Sequence, residues 1–207
     1  MIARTAKPSP SLAQWIAMRS LLLARHGQTA WNALGKLQGH TDIALDDTGR
    51  EQSRALARDL GSAGIRTVWT SDLGRARETG EIVAAQLGLA VPRTEPELRE
   101  RKFGVFEGLT RDECATRHPE HWAAWLAQTG SPPGGEPREE AIARMARALE
   151  RIAAREEGPA LVVSHGGVMR LWLMNLLGTT VPLIANGATF LVEHEADRGA
   201  FALRHRE

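Results

Sequence analysis

Apolar positions along the chain follow two alternating patterns. Solid short runs at 20–24 (SLLLA), 67–71 (TVWTS) and 160–163 (ALVV) carry no charge, which suits strands buried on both faces. Between and after them, apolar residues recur at helical spacing. Leu56, Ala57 and Leu60 do so after Thr48, and segments 75–87, 120–127, 136–156 and 168–177 repeat the pattern. Thr48 is the expected N-cap of the first helix, with Gly61 or Gly64 as its stop. LRERKFGVFEG reads as mostly loop from its glycines and charges, and GSPPGG at 130–135 as a helix breaker. Segments 189–194 and 201–205 predict a closing pair of strands. Strand–helix alternation of this kind predicts an α/β fold with a largely parallel sheet. No linker divides the chain, so residues 19–207 are expected to form one domain, with 103–135 as a lid or insertion. Residues 1–18 read as a loose extension, and Met18 is a second candidate start.

Composition narrows the function classes. Hydrophobic residues at 43% and charged residues at 25% are ordinary for a globular enzyme. A formal charge of +1 argues against a general nucleic-acid binder. Cys114 is the sole cysteine, which excludes an internal disulfide and points to a cytoplasmic setting. No run approaches the roughly 18 apolar residues of a membrane span, and the first twenty residues do not read as a signal peptide. His118 and His121 lack a third ligand nearby, so no metal site is expected there.

The strand ends hold the chemistry. In open α/β sheets ligands bind beyond the carboxyl ends of the strands. Arg25-His26-Gly27 follows one predicted strand, Ser71-Asp72 a second, and Ser164-His165-Gly166-Gly167 a third. The topology therefore brings two His-Gly junctions to one sheet edge. Singly, each of these residues has a bland structural reading. RHG (25–27), Thr29 with Asn32, SDLGRARET (71–79), LRE (98–100), GVFEG (104–108), PPGGE (132–136) and SHGG (164–167) nevertheless occur in that order. Together they resemble the histidine phosphatase superfamily, the phosphoglycerate-mutase-like group, over roughly residues 21–191.

That resemblance implies a three-layer sandwich with a mostly parallel central sheet and helices on both faces. It implies a phosphatase acting on small phosphorylated metabolites without metal or cofactor. His26 would be the nucleophile that forms a phosphohistidine, and Arg25, Arg75 and His165 would surround the phosphoryl group. Glu100 would be the general acid and base, with Glu107 as a structural glutamate and Glu136 as an orienting one. Asn32, Gly166, Gln38 and Thr29 are expected to contact substrate, and the amides of Gly166 or Gly167 to add donors. Gly27 would let phosphate approach. Phe103, Phe106 and segment 109–131 would wall the pocket. Phe106 stands where the family commonly has tryptophan, and Pro137 where serine is frequent.

Three alternatives bear on this reading. Glu100-Arg101-Lys102-Phe103-Gly104 is similar to a motif of the cofactor-dependent phosphoglycerate mutases, and its cations would suit a second anionic group such as a carboxylate. Against a mutase stands the short stretch from Gly108 to Pro132, where mutases carry a long insertion. A non-catalytic, phospho-ligand-binding member would be expected to lack the nucleophile or the acid, and both are present. The apolar helix faces bearing Trp122, Trp125 or Trp172 suit either a core or a homodimer interface.

Overall fold

A computed structural model describes residues 20–195 and 200–204. The 1–18 extension with Met18, and His205 at the end of the closing pair, lie outside the described residues. Six strands form one sheet: β1 (Ser20–Arg25), β2 (Thr67–Thr70), β3 (Arg93–Thr94), β4 (Ala160–Ser164), β5 (Thr189–Glu195) and β6 (Ala200–Arg204), in the order β3-β2-β4-β1-β5-β6. β3, β2, β4 and β1 pair in parallel, while β5 runs antiparallel to β1 and β6 antiparallel to β5. The described helices are α1 (Ala30–Ala33), α2 (Asp47–Asp59), α3 (Gly74–Leu87), α4 (Arg111–Arg117), α5 (Pro119–Leu126), α6 (Arg138–Arg155) and α7 (Gly166–Leu177).

Strand alternation explains the layers. On β1, Leu21 and Leu23 join a core with Met145, Leu149 and Ile152 of α6 and Met169 and Leu173 of α7. Leu22 and Ala24 point the other way, into a core with Leu56 and Leu60 of α2 and Val83 and Ala84 of α3. The solid apolar runs are thus strands with a helix layer on each face. A third cluster, Phe103, Phe106, Cys114 and Trp122, packs α4 and α5 against segment 103–106. Trp122 and Trp172 are buried within the chain, Trp172 against Phe201.

Local departures have physical reasons. Asp46, not Thr48, caps α2, its carboxylate accepting from Gly49 N at 2.7 Å. α2 runs to Asp59 with Leu60 as its C-cap, so the expected stop Gly61 follows directly. α6 begins after Pro137 with no side-chain cap, and Glu139 and Glu140 face its positive end instead. α4 was not expected, because only Cys114 of its seven residues is buried and no apolar stripe marks it. Its one sequence signal was the capping box of Thr110 and Glu113. α1 is a single turn and β3 two residues long, both too short for periodicity to show.

Candidate active site

β1 and β4 are paired up to Arg25 and Ser164, and one further bond from His26 N to Ser164 O, 3.0 Å, carries the pairing past the sheet's end. The residues after each strand, His26 and His165, therefore lie side by side with ring centroids 5.0 Å apart. Gly27 turns the chain so tightly against α2 that a Cβ there would sit 2.3 Å from Gly49 O. Its glycine serves this packing, and it is not among the residues lining the cavity described below.

His26 is 2% exposed, and its Nδ1 lies 2.6 Å from the Gly27 carbonyl oxygen. A carbonyl only accepts, so Nδ1 carries the hydrogen and Nε2 keeps the lone pair. Burial, reinforced by the Arg75 and Arg25 charges, holds the imidazole well below its ordinary range despite that bond. His26 is accordingly neutral at physiological pH, with Nε2 free to attack. His165 is fully buried and held low by burial and then by Arg75, and neither ring nitrogen has a partner among the described residues.

Two guanidiniums flank this pair. Arg25 donates from Nη1 to Ile184 O at 2.6 Å, and Arg75 donates to Gly39 O at 2.8 Å and Thr41 O at 3.0 Å. The Nε of each is buried without a partner among the described residues. Burial lowers the pKa of both, and the nearby Glu100 charge opposes that. Both stay cationic at neutral pH, as arginines do.

Glu100 takes the place of an N-cap. His165 occupies the N-cap of α7 but makes no capping bond. The Glu100 carboxylate instead accepts from Gly167 N at 2.8 Å and Val168 N at 2.7 Å, and from its neighbour Arg101 N at 2.8 Å. A carboxylate at a helix N-terminus is favoured by both the unpaired N–H groups and the dipole. A Cβ on Gly167 would lie 2.6 Å from Glu100 Oε1, so a larger residue there would displace the carboxylate from these amides. Its amide therefore serves Glu100 rather than the cavity.

A cavity of about 370 Å³ opens on these groups. His26, Arg25, Arg75 and Glu100 line it together, with Asn32, Gln38 and Gly166. His165 is fully buried beside His26 and is not among the lining residues. Thr29 does not reach the cavity either. It is fully buried, and its hydroxyl accepts from Asn32 N to cap α1. Asn32 Oδ1 accepts from Thr29 N at 3.2 Å and from Asn186 Nδ2 at 3.2 Å, which turns its amide nitrogen toward other partners. Asn186 also donates to His26 O at 2.9 Å. Nothing in the loop sequence around Asn186 signalled that role.

Phe103, Trp122 and Trp125 form an aromatic wall, whereas Phe106 is wholly buried behind it. Arg101 lies over Trp125 at 4.0 Å and is 5% exposed, its guanidinium donating to Glu136 O and Ser131 Oγ. Burial brings it to about 10 against the pull of Glu136, so it remains charged. Lys102 is exposed and off the wall. The oxygens of Glu107 are taken by His40 N, Thr41 N and Oγ1, and Phe103 N, which ties loop 39–41 to residue 103.

The buried histidines make stability depend on pH. Both have folded values below the ordinary 6.5. Below that value the unfolded chain takes up protons that the folded chain refuses. Stability is therefore full above the ordinary histidine range and lost as pH falls, by up to about 1.4 kcal/mol per pH unit for each histidine. Denaturant unfolding from about pH 7.5 to 5.5 is expected to show a steeper loss in the wild type than in a His26→Asn/His165→Asn variant. Parallel losses would contradict it.

Comparisons with known proteins bear on the family and the fold. The model of the histidine phosphatase superfamily (branch 1) matches residues 21–205. A "Metal-independent phosphoserine phosphatase" of Arabidopsis thaliana is 36% identical over 155 residues, 72% of this chain and 65% of the relative. The chain thus spans about two thirds of the length of the plant relatives it matches. A "Probable phosphoglycerate mutase GpmB" of Erwinia tasmaniensis is 36% identical over 165 residues, 78% of this chain and 76% of the relative. The solved structure of a mycobacterial glucosyl-3-phosphoglycerate phosphatase in complex with VO3 superposes with TM-score 0.81 at 28% identity, covering 91% of this chain and 99% of that one.

Proposed function

The chain belongs to branch 1 of the histidine phosphatase superfamily, and we propose that this member hydrolyses small phosphomonoesters through a phosphohistidine on His26. The observation that carries the proposal is the tautomer. The Gly27 carbonyl fixes the hydrogen on Nδ1 of a neutral imidazole, between two arginines, on the wall of a cavity. The Nε2 lone pair attacks phosphorus as the ester P–O bond breaks, and the leaving oxygen takes a proton from Glu100. Water then attacks the phosphohistidine, giving a proton back to Glu100, and the P–N bond breaks to release phosphate. Arg25, Arg75 and the Asn32 amide stabilise the charge on the equatorial oxygens. The positive charge at the phosphoryl position comes from side chains, so activity is expected to survive chelation of divalent metals.

The cavity also suits a second anionic group on the substrate. Lys36, Arg101, Arg111 and Arg170 line it besides Arg25 and Arg75, and Glu100 is the one acidic residue on its wall among the described residues. 3-Phosphoglycerate is therefore expected to exceed glycerol 3-phosphate in kcat/KM. Arg101→Met should lower the first by roughly 10- to 100-fold, the worth of a charged hydrogen bond, and leave the second within a few-fold. Equal losses for both esters would contradict the assignment.

The mutase reading is supported by the buried cation of Arg101 beside Glu100 and by the likeness to relatives named as probable phosphoglycerate mutases. Incubation with 3-phosphoglycerate and a bisphosphoglycerate primer separates the two. Free phosphate supports hydrolysis, and rapid 2-phosphoglycerate with little phosphate overturns it.

A further inference from the structure

Glu100 sits on a stretch of backbone that has no regular structure to hold it. A 3-10 turn, Pro96–Leu98, leads out of β3, and residues 99–103 belong to no helix or strand. Buried carbonyls in such a stretch need donors from elsewhere. Arg144 of α6 supplies them. Its Nη1 donates to Glu97 O at 2.8 Å and Arg99 O at 2.6 Å, and its Nη2 to Glu100 O at 2.9 Å. The remaining N–H groups pair with the Glu136 carboxylate, Nε at 2.6 Å and Nη2 at 2.8 Å. Both side chains are largely buried, at 12% and 15% exposure. All five donors of the guanidinium thus have acceptors, three of them main-chain carbonyls of one turn. Arg99 leaves that turn outward to pair with Asp72, while Glu100 turns inward to α7. Arg144 itself does not line the cavity.

We propose that Arg144, held by Glu136, is a positioning residue that sets the Glu100 carboxylate for proton transfer. The proposal rests on the phosphatase reading above. Lysine cannot take its place, because one ammonium lacks the planar five-donor fork that spans three carbonyls and a carboxylate. Misplacing an acid and base by an ångström costs on the order of 100-fold in rate, and the defect has a chemical signature. A 4-nitrophenyl ester needs no proton on its leaving oxygen, so formation of the phosphohistidine from it should be spared. The steps that need Glu100, expulsion of an alkoxide and hydrolysis of the phosphohistidine, should both slow.

The test compares wild type and Arg144→Lys with 4-nitrophenyl phosphate and 3-phosphoglycerate, quenching in base to measure the phosphoenzyme. Arg144→Lys is expected to lower kcat for 3-phosphoglycerate by roughly 10- to 100-fold with KM changed little. It should also accumulate phosphoenzyme from the aryl ester. In a Glu100→Gln background the same substitution should cost little more, since both act on one step. Equal losses in the rate of phosphoenzyme formation from the two esters, a loss that multiplies with Glu100→Gln, or unchanged kinetics would overturn the proposal. Should Arg144→Lys not fold, Glu136→Gln, which loosens the clamp from its other end, is expected to show the same pattern at smaller amplitude, and its absence there would be equally fatal. A wild type that forms no phosphoenzyme would instead remove the phosphatase reading, and this inference with it.

Discussion

His26→Ala is expected to lower phosphate release by roughly four to six orders of magnitude, the usual cost of deleting a nucleophile from a cooperating set. The size follows from the absence of a substitute. Among the described residues, His165 is the one other imidazole packed against His26; it is not among the residues lining the cavity and has no hydrogen bond to fix its tautomer. The variant should still fold, because His26 is kept neutral by burial and two nearby cations rather than held by an ion pair. A circular-dichroism melt alongside the phosphate assay checks this. Retained activity in a folded His26→Ala protein would contradict the assigned nucleophile.

Glu100→Gln is expected to lower kcat by roughly 10² to 10⁴, the range for loss of a general acid and base. The loss should be largest for alkyl esters, whose leaving oxygen needs a proton, and smaller in the phosphorylation step with 4-nitrophenyl phosphate. Phosphoenzyme should accumulate, because the hydrolytic half also lacks its base. Part of the effect will be structural. The carboxylate accepts from three backbone N–H groups on its two oxygens, and an amide turns one acceptor into a donor facing another donor. Leaving a buried donor unpaired costs about 1–3 kcal/mol, so the melting temperature should fall as well. Burst kinetics on both esters separate the two contributions. A loss in the phosphorylation step that is independent of the leaving group would contradict the acid role.

The strands and their chemistry were legible for one reason. A strand buried on both faces is a solid apolar run, so the points where SLLLA and ALVV end, and where Arg25-His26 and His165 begin, could be read directly. Other features lay in contacts that no local pattern encodes. Thr29 was expected at the substrate and instead caps α1, because nothing in T-x-x-N tells a ligand from a capping box. Gly27 was expected to admit phosphate and instead admits the backbone of Gly49. The amide of Gly166 or Gly167 was expected at the substrate; that of Gly167 goes to Glu100, 67 residues away, while Gly166 lines the cavity. Arg144 gave no signal, since an arginine within an amphipathic helix reads as its solvated face. Its role exists only once α6 passes beneath the 97–100 turn.

The central claim is a covalent bond between phosphorus and His26. Mixing the wild type with a radiolabelled phosphomonoester, quenching in base within the turnover time and mapping the labelled peptide tests it directly. The label should be stable to alkali, labile to acid and confined to the peptide bearing His26, and it should form and decay fast enough to sustain turnover. Label on the His165 peptide, or steady turnover in Glu100→Gln without any labelled protein, would contradict it.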